Sequence, residues 1–166
     1  CWRCVRMYDV MPISQTGHEK LKEELSRLGD EAVVVRKRVA EAREQGDLKE
    51  NAEYIYGRQN LGFIEGRMGE IRGKLNYSKP VDCTGVSCNC AAFGTIVTVM
   101  DLDTQKKVVY QLLGPYDFDL TDESISIVSP IGEALLDHVV GDKISVTIPR
   151  GEVNLELLEI NKSTIK

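Results

Sequence analysis

A chain of 166 residues with 42% hydrophobic and 28% charged residues has the composition of a folded protein of one or two small domains. It has no apolar run near the roughly 20 residues of a membrane-spanning helix and no secretory leader, so we expect a cytoplasmic protein without membrane contacts. The net charge of −5 is concentrated in the second half of the chain, and this acidic half argues against wrapping a phosphate backbone, which requires lysine and arginine. Any contact with nucleic acid should be small and local.

The N-terminus and the cysteines indicate little chemistry of their own. The chain begins at Cys1 rather than at methionine, and Met11-Pro12 suggests the start of the folded unit, so residues 1–11 are interpreted as an extension or as the remnant of a longer chain. Five cysteines, an odd number, argue against a disulfide framework in a cytosolic protein. Neither histidine stands in ligand spacing with a cysteine, so free thiols are favoured over a four-ligand zinc site.

Two coiled-coil seams follow. A Thr-x-x-Glu capping box at Thr16–Glu19 predicts the start of the first helix. Apolar residues then recur in steps of four and three, a period of 3.5 that is typical of a coiled-coil seam. The first seam is Leu21, Leu25, Leu28, Ala32, Val35, Val39 and Ala42; the second is Tyr54, Gly57, Leu61, Ile64, Met68, Ile71 and Leu75. The short turn between them predicts an antiparallel helical hairpin over residues 12–78, with arms on the order of 40 Å long.

Acidic residues cluster at the end of this hairpin. If the turn lies near position 47, residue x faces roughly residue 94 − x; Glu44 then lies across from Glu50, with Asp47 between them, and Glu41 and Glu53 one turn further back. Asp47-Leu48-Lys49-Glu50 is itself a capping box for the second arm, and acids in a first turn complement the helix dipole. Spacing alone therefore identifies these acids as helix caps.

The periodicity changes after Pro80. Residues 79–92 are interpreted as a linker, and residues 93–166 as a small globular domain with an antiparallel sheet and one short helix, Ile131–Val139. The predicted strands are Phe93–Met100, Lys106–Leu113, Ile125–Val128, Lys143–Pro149 and Glu152–Ile160. The fold class predicted for the whole chain is α+β.

Several motifs closely resemble the bacterial Gre transcript-cleavage factors, nearest to the GreA type. The longest is Ala40-Glu41-Ala42-Arg43-Glu44-Gln45-Gly46-Asp47-Leu48-Lys49-Glu50-Asn51-Ala52-Glu53-Tyr54. Further matches are Gly62-Phe63-Ile64-Glu65-Gly66-Arg67, Ser129-Pro130-Ile131-Gly132, Val140-Gly141-Asp142 and Pro149-Arg150-Gly151-Glu152. The resemblance spans about residues 12–160 and keeps the order and spacing of the motifs.

The resemblance implies a coiled-coil hairpin followed by an FKBP-like domain. It also implies a monomeric elongation factor whose globular domain docks at the rim of the secondary channel of RNA polymerase while the hairpin enters the channel. There it would stimulate cleavage of the nascent RNA 3′ end in backtracked complexes without being a complete enzyme. The two essential acids of the family fall on Asp47 and Glu50, as transient ligands of Mg²⁺ shared with the polymerase active site rather than of a stably bound cofactor.

The resemblance also assigns contacts away from the acids. Arg58 matches a basic position associated with the nascent RNA, and residue pairing puts Arg36 across from it. Ser129-Pro130 matches a loop that grips a polymerase coiled coil. The chain departs from the family at Asp137-His138, where members often carry Gly-Lys, which weakens the inference of a basic contact there.

Three other functions fit parts of the pattern. A relative with the same architecture could occupy the channel and inhibit the polymerase, although the intact pair Asp47 and Glu50 favours stimulation. The hairpin could be a non-catalytic adaptor whose acids only cap. Prolyl isomerase activity of an FKBP-like domain is disfavoured, because aromatic residues make up only 6% of the chain and its one tryptophan, Trp2, lies far outside that domain.

Overall fold

The structure is a computed structural model that describes residues 10–46, 51–117 and 120–165. The chain divides into two units, one formed by residues 19–76 and the other by the described residues up to 18 together with those from 77 onward. Within the described residues no helix is long and apolar enough to cross a membrane. The α+β class and the helical hairpin predicted from the sequence are confirmed.

The first unit is the hairpin of two long helices. Helix α1 spans Gln15–Glu44 and helix α2 spans Ala52–Asn76. The buried residues are members of the predicted seams: Leu21, Leu28, Ala32, Val35 and Ala42 on α1, and Ile64, Met68 and Ile71 on α2. The remaining seam positions are partly exposed. Burial of one narrow apolar stripe on each helix is what holds two such arms together, because helix propensity alone is small.

Glycines interrupt α2 at five positions, and only one of them touches the opposite arm. A Cβ added at Gly57 would lie 2.8 Å from Cγ2 of Val39, so the missing side chain allows the close approach expected there. At Gly62, Gly66, Gly69 and Gly73 an added Cβ would meet nothing within 4 Å. Each of these glycines weakens the helix by about 1 kcal/mol relative to alanine. Helix α2 therefore depends on its contacts with α1.

Helix α1 begins two residues earlier than the sequence pattern indicated. The Oγ of Ser14 accepts a hydrogen bond from the N–H of Gly17 at 2.9 Å, so Ser14 is the N-cap, and Thr16 lies inside the first turn. The predicted capping box at Thr16 is therefore wrong. The N–H of Ser14 is itself bonded to the buried carboxylate of Asp117, which also accepts from the N–H of Gly114 at 2.7 Å.

The second unit contains two sheets. Strand β1 (Met11–Ser14) pairs in parallel with β2 (Ser78–Val81). The larger sheet consists of β3 (Thr95–Asp101), β4 (Lys106–Leu113), β5 (Ser124–Ser126), β6 (Lys143–Ile148) and β7 (Gly151–Lys162), in the order β5-β4-β3-β7-β6. Its core includes the fully buried side chains of Phe93, Val97, Leu112, Leu135 and Leu157.

Three predicted features of this unit differ from the structure. The sheet is not wholly antiparallel, because β5 pairs in parallel with β4. Helix α3 spans only Pro130–Leu135; it ends because Leu136 takes a ψ of 140° and Asp137 a φ of +67°, neither of which continues a right-handed helix. The segment 79–92, interpreted as a linker, contains residues 79–81 of β2 and a 3-10 turn at Cys83–Gly85, and Cys83 and Ala91 are fully buried in the core.

Candidate functional site

The hairpin turn is closed by Asn51. Helix α1 ends at Glu44, Gly46 follows with a φ of +144°, and α2 begins at Ala52. The Oδ1 of Asn51 accepts from the N–H of Tyr54 at 3.1 Å, the usual N-cap hydrogen bond, and its Nδ2 donates to the carbonyl oxygen of Ala42 at 2.8 Å. One side chain thus caps the second helix and ties it to the last turn of the first.

This cap corrects the interpretation of the acidic cluster. The sequence assigned the N-cap of the second arm to Asp47, four residues before the residue that occupies it. Asp47 and Glu50 themselves lie outside the described residues, so their catalytic and metal-binding roles stay predictions. The sequence did contain a signal for Asn51 as the N-cap, since asparagine directly before a helix is a preferred N-cap residue. Asp47, also a preferred N-cap residue, was chosen instead.

Arg58 lies about two turns beyond the cap and one turn beyond Tyr54. Its guanidinium carbon is 5.9 Å from the centre of the Tyr54 ring, and its Nη1 donates to the hydroxyl of Tyr54 at 3.5 Å. Because the contact is exposed, the arginine is oriented without being withdrawn from solvent. A cation beside an aromatic ring, just behind the turn, suits contact with single-stranded nucleic acid.

Arg36 has a different partner from the one predicted. Its Nη2 is 2.6 Å from Oε1 of Glu65 on the opposite helix, so the side chain is directed at that carboxylate and not toward Arg58. The simple pairing rule put two arginines opposite each other, whereas the structure puts an arginine opposite an acid. Both side chains of this pair are about half exposed. An RNA contact by Arg36 would therefore have to compete with an existing ion pair.

A second cross-helix ion pair lies toward the end of the hairpin away from the turn. Nε of Arg67 lies 2.9 Å from Glu24 of α1, and Nη1 lies 3.0 Å from Glu70 of its own helix. The pKa of Arg67 is raised by its hydrogen bonds to these two carboxylates, and the pKa of Glu70 is lowered by hydrogen bonds from Lys74 and Arg67. Arg67 and Glu24 are partly exposed, so their ion pair links the two helices but contributes little to stability.

Ser129 and Pro130 form the start of α3. Ser129 is the N-cap, its Oγ accepting from the N–H of Gly132 at 3.1 Å and donating to the carbonyl oxygen of Ser126 at 2.6 Å. Pro130 is exposed at the first helical position, where its lack of an N–H is tolerated. The hydroxyl is thus committed to holding the loop, and the neighbouring Val128 and Pro130 are the exposed groups.

Asp137-His138, where related proteins often carry Gly-Lys, has a strained backbone and an engaged imidazole. Asp137 takes a positive φ that glycine adopts more readily. Nδ1 of His138 lies 2.9 Å from Oδ2 of Asp142, which also accepts from the N–H of Val139 at 3.0 Å. The pKa of Asp142 is lowered by the Val139 N–H and then by His138. The imidazole is therefore engaged by an acid on its own loop.

The described residues contain no group of three or more His, Cys, Asp or Glu side chains that could hold a metal ion. Cys83 is buried, and the pKa of its thiol is raised to about 12. Burial is the main cause, and the negative charges of Asp117 and Asp82 add smaller contributions in the same direction. Cys88 and Cys90 are partly exposed free thiols.

Comparison with known proteins defines the class. The N-terminal model of transcription elongation factors matches residues 11–79, and the C-terminal model of the GreA/GreB transcription elongation factors matches residues 86–162. This chain belongs to the GreA/GreB family of transcription elongation factors.

The similar proteins include several of the GreA type. Transcription elongation factor GreA of Desulfotalea psychrophila is 44% identical over 155 residues, covering 93% of this chain and 96% of that protein. GreA of Thermodesulfovibrio yellowstonii is 41% identical over 156 residues, covering 93% and 99%.

Solved structures of the same family also match. GreA factor homolog 1 of Thermus thermophilus has a TM-score of 0.43 at 23% identity, covering 92% of this chain and 99% of that one. GreA/GreB of Nitrosomonas europaea has a TM-score of 0.40 at 20% identity, covering 92% and 98%. The family assignment rests on the sequence relatives, because TM-scores this low carry no weight.

Proposed function

We propose that this chain acts on RNA polymerase as a GreA-type elongation factor that stimulates cleavage of the nascent RNA 3′ end in backtracked complexes. The observation that carries this proposal is the match to GreA proteins over 93% of the chain, with the Asp47–Glu50 motif intact. Inhibitory and adaptor functions are not favoured, because the sequence relatives at 41–44% identity carry the name of an elongation factor.

The hairpin suits delivery of a reactive group into a narrow channel. Helix α1 has 30 residues, which corresponds to a rod of about 45 Å at 1.5 Å per residue. Asn51 ties the start of α2 to the last turn of α1 near this end of the rod. Holding a reactive group on a stiff element reduces the entropy of positioning it against a substrate.

Asp47 and Glu50 would contribute carboxylate oxygens, the ligands that Mg²⁺ prefers. Mg²⁺ shared with the polymerase active site would stabilise the attacking and leaving oxygens of phosphodiester hydrolysis. One of the two carboxylates would also orient the attacking water or accept its proton. The protein is accordingly an activator of another enzyme and not a complete catalyst.

The other contacts follow from the same proposal. Arg58, with its ring contact to Tyr54, would approach the extruded RNA, and Arg36 would do so after release from Glu65. The loop at Ser129-Pro130 would contact the rim of the polymerase channel.

The test is a cleavage assay on purified, artificially backtracked complexes with Mg²⁺. The wild-type chain should shorten the RNA, and Asp47→Asn should lose most of this stimulation while it unfolds at the same denaturant concentration as the wild type. Near-normal stimulation by Asp47→Asn would refute the metal role. A charge-reversed Arg58 that still crosslinks normally to RNA 3′ ends would refute the RNA contact.

A further inference from the structure

Cys88 and Cys90 are two free thiols separated by one residue in an irregular segment of the second unit. Both side chains are partly exposed. In the described part of the chain, no backbone–backbone hydrogen bond holds residues 87–90. The segment lies between Cys83 and Ala91, which are both fully buried, and the N–H of Ala91 donates to a backbone carbonyl oxygen at 2.8 Å. The two thiols therefore lie on a short, adjustable stretch that is anchored on both sides.

The pattern of exposure puts the two thiols on the same side of the chain. Ser87 and Asn89 are exposed, whereas Cys88 and Cys90 are partly buried. This alternation is that of an extended chain, in which residues i and i+2 share one face. The backbone also bends at Asn89 and Cys90, which brings the two cysteines closer than a straight chain would.

The connectivity of the chain places the two cysteines within reach of a disulfide. Cα atoms two residues apart are separated by at most about 7 Å even in a fully extended chain, and the bend shortens this distance. Disulfides join Cα atoms that are about 4.4–6.8 Å apart. Closure of the bond therefore requires rotation of two side chains and adjustment within residues 87–90, while the buried core stays in place.

Cys83, the third cysteine of this region, does not compete for the bond. Its side chain is fully buried and packs in the core of the second unit. A thiol without contact to solvent reacts slowly with a dissolved disulfide, because exchange requires access to the attacking thiolate. The reactive pair is therefore Cys88 and Cys90, and Cys83 is an internal reference.

We propose that Cys88 and Cys90 form a modification site that reacts with low-molecular-weight disulfides and closes reversibly into an intramolecular disulfide. The thiolate of one cysteine attacks a sulfur of glutathione disulfide, forms a mixed disulfide and releases one glutathione. The thiolate of the other cysteine then attacks the protein sulfur of the mixed disulfide and releases the second glutathione. The protein loses two electrons and two protons, and the two glutathione molecules gain them. The site is independent of the proposed function.

This disulfide should be easy to reduce. It would close a short ring in a partly exposed segment, and strained or exposed disulfides have the higher reduction potentials that make them labile. Reduced glutathione should therefore restore both thiols. The state of the pair then follows the balance of thiols and disulfides around the protein.

The experiment uses the full chain with Cys1→Ser and Cys4→Ser, which leaves three of the five cysteines. After incubation with glutathione disulfide, the thiols titrated in denaturant should fall from three to one. The mass of the protein should show the loss of two hydrogen atoms, with no glutathione retained. Iodoacetamide added in denaturant should then label Cys83 alone, as read by peptide mass spectrometry. Reduced glutathione should restore the initial thiol count.

Cys88→Ser and Cys90→Ser in the same background are the matched controls. Each leaves one partly exposed thiol without a neighbour that can resolve a mixed disulfide. Each should therefore keep one glutathione after the same incubation. Circular dichroism of every variant checks that the fold is retained.

Any of four results would overturn the proposal. The intact pair could retain glutathione as the single variants do, or its thiol count could stay unchanged. The label could be missing from Cys83, which would place that residue in the bond. A covalent dimer would show that the thiols react between chains. None of these results bears on the stimulation of RNA cleavage, which the assay on backtracked complexes measures separately.

Discussion

Replacement of Gly57 by alanine tests how closely the two arms of the hairpin approach. Alanine gains about 1 kcal/mol of helix propensity over glycine in a helix interior. At Gly57 the new Cβ would lie 2.8 Å from Cγ2 of Val39, closer than such atoms pack, so either the Val39 side chain or one of the helices must shift. Overpacking of this kind costs about 1–3 kcal/mol. The net change should range from nearly zero to a loss of about 2 kcal/mol.

Gly69→Ala is the matched control. Gly69 is exposed on the same helix, and an added Cβ would meet nothing within 4 Å, so only the propensity gain of about 1 kcal/mol remains. Because both variants share the propensity effect, the difference between them, about 1–3 kcal/mol, measures the contact with Val39. Urea denaturation of the full chain, followed by the helical circular dichroism signal, gives both free energies of unfolding.

A double variant separates the contact from other causes. Val39→Ala removes the γ carbons that the new side chain would meet, so Gly57→Ala should become stabilising in that background. If Gly57→Ala stabilises the wild-type chain as much as Gly69→Ala does, the close approach of the arms at Gly57 is wrong. The same result in both backgrounds would likewise contradict the contact with Val39.

Three further predictions each rest on one contact or one buried group. Asn51→Ala should destabilise the hairpin by about 0.5–2 kcal/mol, as loss of an N-cap does, and the same urea titration measures this. Gln45→Ala, at an exposed position beside the turn, is the control. Equal stability of the two variants would contradict the capping role of Asn51. Asp117→Ala should lower the free energy of unfolding by at least about 2 kcal/mol, because it leaves the N–H groups of Ser14 and Gly114 without their acceptor; a smaller loss would mean that water replaces the carboxylate. Iodoacetamide at neutral pH should modify Cys88 and Cys90 and spare Cys83, because the thiol of Cys83 is buried with a pKa of about 12. Peptide mass spectrometry measures the labelling of each cysteine. Equal labelling of these three cysteines would contradict the burial of Cys83.

The hairpin could be predicted from the sequence because its core is a periodic stripe, and the spacing of Leu21, Leu28 and Ile71 survives any error at the helix ends. The start of the second helix could not be predicted from the sequence, because Asp47 and Asn51 are both preferred N-cap residues and only the backbone conformation decides between them. The parallel pairing of β5 with β4 could not be predicted either. The alternation of apolar and polar residues indicates a strand but does not show in which direction the chain returns to its neighbour. Cys83 and Ala91 were assigned to a linker because small buried residues at irregular spacing leave no periodic signal.

Because Asn51 caps the second helix, the role of Asp47 in cleavage can be tested separately from helix stability. While Asp47 was also the expected cap, any loss of activity on its removal could be attributed to a frayed helix. With Oδ1 of Asn51 on the N–H of Tyr54 and Nδ2 on the carbonyl of Ala42, the turn has its own tie. Stability and cleavage should therefore separate: Asn51→Ala should lower the first more than the second, and Asp47→Asn should do the reverse. Parallel loss of both properties in both variants would mean that the acids act only through the shape of the turn.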